Sequence, residues 1–177
     1  MPPNGFFISF RMTTQRKGRL GFAALAAGLV LAGCASAPPR DYTPTIARFF
    51  LESSDPRAVS VVLPQSGVKL AIASTPVLTE GDIINVELMQ VELGRCLMFQ
   101  LTASAARDLY RFTASNQGGR LVLFINGAAF GARRIDGPID NGSLLVFAEV
   151  ADSALPALVT NLKKTSAAMQ REVAKKK

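Results

Sequence analysis

Three pairs of acidic residues are spaced so that they could do chemistry: Glu80 with Asp82, Glu87 with Glu92, and Asp136 with Asp140. Paired carboxylates act as acid and base in glycoside hydrolysis, or hold a hard cation. In this chain each pair also falls where a turn or the wet face of a strand calls for acid, and that is the preferred reading. The run Asp136-Gly137-Pro138-Ile139-Asp140-Asn141-Gly142 has the outline of a calcium loop but lacks the acidic alternation and terminal Glu of an EF-hand. Histidine is absent, which excludes serine-histidine and cysteine-histidine nucleophiles and histidine-containing zinc sites. Cys96 sits in the apolar stretch Arg95-Cys96-Leu97-Met98-Phe99 and reads as a small buried hydrophobe. Gly118-Gly119 stops a helix and is followed by no Walker lysine pattern, so neither metal nor cofactor is expected.

The second cysteine has a different setting. Leu31-Ala32-Gly33-Cys34 closes an apolar run from Leu20, with Arg11, Arg16, Lys17 and Arg19 before it. That is a basic region, an apolar region and small residues ahead of a cut. A run of 14 residues is short of the ~20 needed to span a bilayer. The segment resembles a bacterial lipoprotein signal, or lipobox. The resemblance implies cleavage after Gly33 and lipidation of Cys34, palmitate included, so that lipid on Cys34 joins the chain to a membrane facing the periplasm. Residues 1–33 are then a signal peptide, and translation from Met12 would give a more compact one. Ala35, in place of Asp, points by the sorting rule of Gram-negative lipoproteins to the outer membrane, with inner-membrane retention as the alternative.

Removing residues 1–33 takes four of the 20 basic residues and no acid, so the formal charge falls from +7 to +3. Lys163, Lys164, Arg171, Lys175, Lys176 and Lys177 lie in the last fifteen residues, which leaves a nearly neutral body. The pI of 9.9 therefore reports a basic end suited to a helix C-terminus, and nucleic acid is not expected as a partner. Once Cys34 carries lipid, Cys96 has no intrachain disulfide partner. The remaining 144 residues suffice for one domain.

Residues 34–57 contain Pro38, Pro39, Pro44 and Pro56 and read as a tether, in which Ile46, Phe49, Phe50 and Leu51 form a short docking turn. The folded domain is expected over 58–174, with 175–177 a basic tail. Val59–Leu63 and Val68–Ile72 flank Gln65-Ser66-Gly67 and predict a hairpin. Strands follow at Ile84 to Gly94 and Arg95 to Leu101. Thr102 caps a helix carrying Ala106, Leu109, Tyr110 and Thr113, which Asn116 and Gly118 end. Arg120–Asn126 is a strand, and Asn126-Gly127 a tight hairpin turn. After turns at Asp136-Gly137-Pro138 and Asn141-Gly142 comes the strand Leu144–Glu149. Ser153 is expected to cap a last helix with the stripe Leu155, Leu158, Val159, Leu162, in whose first turn Pro156 is tolerated. This order predicts an α+β sandwich, with two amphipathic helices on one face of a mainly antiparallel sheet.

From Leu78 to about Leu162 the chain resembles the head of the first periplasmic domain of SecD, an accessory subunit of bacterial protein export. The matching stretches are Leu78-Thr79 with Asp82-Ile83, Phe99, the helix through Leu109, Phe112, Thr113 and Asn116, and Gly119-Arg120-Leu121-Val122-Leu123-Phe124-Ile125-Asn126-Gly127. Ile135, Pro138, Ile139 and Gly142 continue the match. The resemblance implies a ferredoxin-like sandwich and polypeptide partners. It differs in two respects: SecD carries several membrane-spanning helices, and this chain has Gly131-Ala132-Arg133-Arg134 where the family favours a proline.

If Leu97, Phe99 and Leu101 face the helices, Cys96 and Met98 face away, so both sheet faces are apolar. Either the 59–72 hairpin or the Phe49-Phe50 turn covers the second face, or part of it stays open for a partner. Met98 and Phe124 are the candidate contacts there, with Arg133 and Arg134 as a basic rim. The leading expectation is a non-enzymatic protein-interaction lipoprotein of envelope assembly or export. The alternative is a small-molecule or glycan binder, or a hydrolase, using the 136–142 loops.

Overall fold

The computed structural model describes residues 41–175. The signal segment, Cys34, the first part of the tether, and Lys176 and Lys177 lie outside the described residues.

The first strand, β1 (Ala47–Leu51), falls where the tether was expected. Ala47 and Phe49 are buried while Arg48 is exposed, the period of two that a half-buried strand requires. The expected docking turn is thus a strand, and the folded body begins before residue 58. Proline-rich flanks hid this, because β1 is held by pairing distant in sequence: it runs antiparallel to β6 (Arg120–Ile125), Ala47 opposite Ile125 and Leu51 opposite Leu121. On its other edge Phe49 donates its amide to Leu78 O at 2.9 Å and accepts from Val77 N at 2.8 Å.

The predicted hairpin is β2 (Val59–Val62) with β3 (Lys69–Ile72). Strands β4 (Ile83–Val91) and β5 (Gly94–Leu101) pair antiparallel, with Ile84 as an extra residue that shifts the register. Thr102 Oγ1 accepts from Ala105 N at 3.3 Å, capping α1 (Ala103–Ser115) as expected. β6 turns into β7 (Ala128–Arg134) through Asn126 (φ 49°) and Gly127 (φ 85°), the left-handed pair that Asn-Gly supplies. β8 (Ser143–Val146) pairs with β5 and ends three residues earlier than the sequence suggests. Ser153 does not cap the last helix. It lies inside a 3-10 turn, Asp152–Ala154, that begins from Ala151 and leads directly into α2 (Leu155–Lys175). Lys175 therefore ends a helix rather than opening a tail.

The strands form three antiparallel sheets, ordered β1-β6-β7, β2-β3 and β4-β5-β8. The first and third meet where β7 approaches the end of β8. Between Leu123 and Phe124 the register steps, so Phe130 is an extra residue in β7, and its carbonyl accepts from Glu149 N at 2.6 Å. The contact is close: a Cβ on Gly131 would stand 2.2 Å from the Phe147 carbonyl oxygen.

Two apolar clusters result. The larger joins Phe49, Phe99, Leu97, Leu121, Leu123 and Leu144 to Leu109 of α1 and Leu155 and Leu162 of α2, with Phe49 and Phe99 edge to face at 5.0 Å. The smaller lies on the opposite side of the first sheet, where Leu63, Leu70 and Ile72 of the hairpin region cover Val122 and touch Phe50 and Phe124. The fold is α+β, antiparallel, with two helices.

Candidate functional site

Strand alternation decides which residues reach the second face of the first sheet. Leu121, Leu123 and Ile125 turn to the main core, which leaves Val122 and Phe124 outside with Arg48 and Phe50 of β1. The β2–β3 hairpin covers the Val122 end of this face. Beyond it lies a groove of about 530 Å³ lined by Ile46, Arg48, Phe50, Phe124, Asn126 and Gly127. Phe50 and Phe124 stack tilted, centroids 4.8 Å apart.

The groove's one charge is already matched. Arg48 forks onto Glu80, Nε to Oε2 at 2.7 Å and Nη2 to Oε1 at 2.8 Å. Hydrogen bonding from Arg48 holds the Glu80 carboxyl below the ordinary glutamate range, against the opposing effect of burial. Asn126 Oδ1 accepts from Ile46 N at 2.8 Å and fixes the groove's end. Apart from Arg48 and Asn126 the six lining residues offer apolar side chains or backbone, so the groove is equipped to bind apolar matter.

A second cleft, about 330 Å³, opens at the other sheet. Val91, Glu92 and Leu93 come from the β4–β5 turn, Cys96 from β5, Arg133 from β7, and Leu145 and Phe147 from β8 and its exit. Met98 stands opposite Leu145 on the same side of β5 as Cys96. Arg133 Nη1 donates to Leu145 O at 3.1 Å, while its Nε lies out of solvent with no acceptor. Burial pushes the Cys96 thiol up, and the Arg133 charge offsets only part of that rise. Cys96 is a buried neutral thiol.

The candidate contacts are therefore divided. Met98 and Arg133 share the second cleft's side of the molecule, Phe124 lies in the first groove, and Arg134 reaches Asp136 at 3.5 Å. Arg133 is half-buried rather than part of an exposed rim. Arg48 was not singled out by sequence reasoning and Ile46 was placed only in a docking turn, although the alternation Ile46, Arg48, Phe50 against Ala47, Phe49, Leu51 carried the signal.

The acidic pairs are structural where they have partners. Asp82 Oδ2 accepts from the amide and hydroxyl of Thr79, each at 2.8 Å. Lys163 Nζ lies 3.6 Å from Glu87. Asp136 faces Arg134, whereas Asp140 lines a hollow with Arg107, Tyr110 and Arg111, so the two loop aspartates do not converge on one pocket. Among the described residues no cluster of acids and cysteines could hold a metal ion, and no helix is long and apolar enough to cross a membrane.

No protein-family model and no curated protein sequence matches this chain. Solved structures do. A SecDF described as a membrane component that enhances protein export superposes with a TM-score of 0.55 at 14% identity, over 70% of this chain and 64% of that one. A SecDF in a super-membrane-facing form gives 0.55 at 15% identity, over 70% of this chain and 19% of that one. The chain thus spans less than two thirds of either, and what they share with it is the fold: a SecD-head-like sandwich.

Proposed function

We propose that this chain is a lipid-anchored, periplasm-facing protein of the bacterial envelope that binds polypeptide segments without chemical turnover, in envelope assembly or protein export. The observation that carries this reading is the open end of the β1–β6 face, an apolar groove flanked by Phe50 and Phe124 and free of catalytic groups. Two further points support it. The fold is one also found in SecDF, a component that enhances protein export, and the Leu31-Ala32-Gly33-Cys34 pattern supplies a lipidation signal. Ala35 supports an outer-membrane position by the sorting rule of Gram-negative lipoproteins, with inner-membrane retention as the alternative.

Photo-crosslinking in the native envelope tests the reading. A probe replacing Ile46, which is 38% exposed at the groove's rim, gives a discrete protein adduct, and one at Gln117, in the turn after α1, does not. Failure of the Ile46 probe, in a strain whose Cys34 takes up radiolabelled palmitate, overturns it. Cys34→Ser abolishes that label and releases the chain from the membrane pellet; unchanged pelleting sinks the lipid anchor.

A further inference from the structure

We propose that the cleft between the β4–β5 turn, Arg133 and Phe147 takes the carboxylate end of a polypeptide that finishes in an apolar residue. The site is distinct from the groove on β1–β6 and stands independently of it.

Arg133 is the charged end of this cleft. Its guanidinium is half-buried, one nitrogen is spent on Leu145 O, Nε meets no acceptor, and no carboxylate pairs with it among the described residues. A partly desolvated cation with donors to spare is costly unless an anion joins it. The β7–β8 contact accounts for why it is held there: Gly131 packs on the Phe147 carbonyl, which sets Arg133 beside β8.

The walls are apolar in an unusual way. Leu93, at the tip of the β4–β5 turn, is 86% exposed, the highest of the large hydrophobics among the described residues, and Phe147 across the cleft is 41% exposed. A hairpin tip normally carries polar residues. Here Leu93, Phe147 and the half-buried Leu145 form an apolar slot that leads to the guanidinium, with Cys96 closed off beneath.

The occupant must join an apolar group to a carboxylate over a short span, because about 330 Å³ lies at the small end of ligand sites. A polypeptide's last residue has that form. Glu92 on the rim is placed to accept a backbone N–H from the residue before the last, a donor that a chain end offers and an anionic lipid phosphate lacks.

The full-length chain in detergent is titrated with a fluorescent pentapeptide ending in leucine as free acid, with the same peptide amidated, and with phosphatidylglycerol vesicles. Saturable binding of the acid is expected, weakened roughly tenfold or more by amidation and by Arg133→Gln. Leu93→Ser weakens it several-fold, and since Leu93 is so exposed the variant folds, which covers the case in which R133Q does not. Equal binding of acid and amide, no saturation below about a millimolar, or undiminished binding by folded L93S overturns the proposal. Arg133-dependent vesicle binding without peptide binding also overturns it and assigns the cleft to lipid. Crosslinks from Ile46 report on the other groove alone, so either reading can fail without the other.

Discussion

Glu149 is bonded through both its backbone and its side chain. Its amide closes the contact with Phe130, and its carboxylate accepts from the amides of Gln65 and Ser66 at 2.8 and 2.9 Å and from the Ser66 hydroxyl at 2.6 Å. Burial alone would raise its pKa, but the bonds from Ser66 and Gln65 outweigh it and hold the carboxyl below the ordinary glutamate range. A depressed carboxylate contributes stability that is present above the unfolded value, about 4.3, and is lost as pH falls through the folded value. Glu149→Gln should therefore cost about 1 kcal/mol near neutrality, and the gap from wild type should close as urea unfolding is repeated below pH ~4. A gap unchanged across that range would mean the carboxylate charge is not what clamps the turn. Gly131 makes a steric counterpart. Gly131→Ala places a methyl group against the Phe147 carbonyl backbone, and a loss of roughly 1–3 kcal/mol in denaturant unfolding is expected.

At the scale of elements, β1 was the part of the fold the sequence concealed. The hairpin at 59–72, the Thr102 cap, the Asn126-Gly127 turn and the α2 stripe were legible because each is specified by neighbours in the chain. β1 is specified by β6, about 75 residues away, and by Val77 and Leu78, and its five residues sit among prolines that read as tether. The same holds for the candidate sites. Met98, Phe124 and Arg133 could be named from alternation, yet their distribution between two clefts depended on the step at Phe130 and on three sheets where one was expected. Ser153 misled because it is a good cap residue one position early, inside a 3-10 turn that runs straight into α2 with no side-chain cap. If β1 belongs to the core, Phe49→Ala should cost about 3–5 kcal/mol in equilibrium unfolding. A cost below ~1 kcal/mol, the usual range for an exposed position, would return residues 47–51 to the tether.

For the whole molecule, the hairpin acts as a cover over a face that is otherwise apolar. Leu70 is buried against Val122. Leu70→Ser should loosen β2–β3 from the body while the main cluster around Phe49 and Phe99 persists. The expected result is increased binding of a hydrophobic dye with an almost unchanged far-ultraviolet spectrum; simultaneous loss of both would show the two clusters to be one cooperative unit.

The chain enters this body along α2. Asp41 binds Lys164 at 2.5 Å, Thr43 N donates to Asn161 Oδ1 at 3.3 Å, and Thr45 N donates to the Thr165 hydroxyl at 2.9 Å. Asn161 and Thr165 are one helical turn apart, so these contacts form a short ladder on one side of the helix. In mechanical terms that ladder has a direction. Tension applied at residue 41 away from the helix opens the rungs one at a time, whereas tension along the helix axis loads them together. The angle between pull and α2 thus sets how much force the body resists before β1 itself is drawn upon.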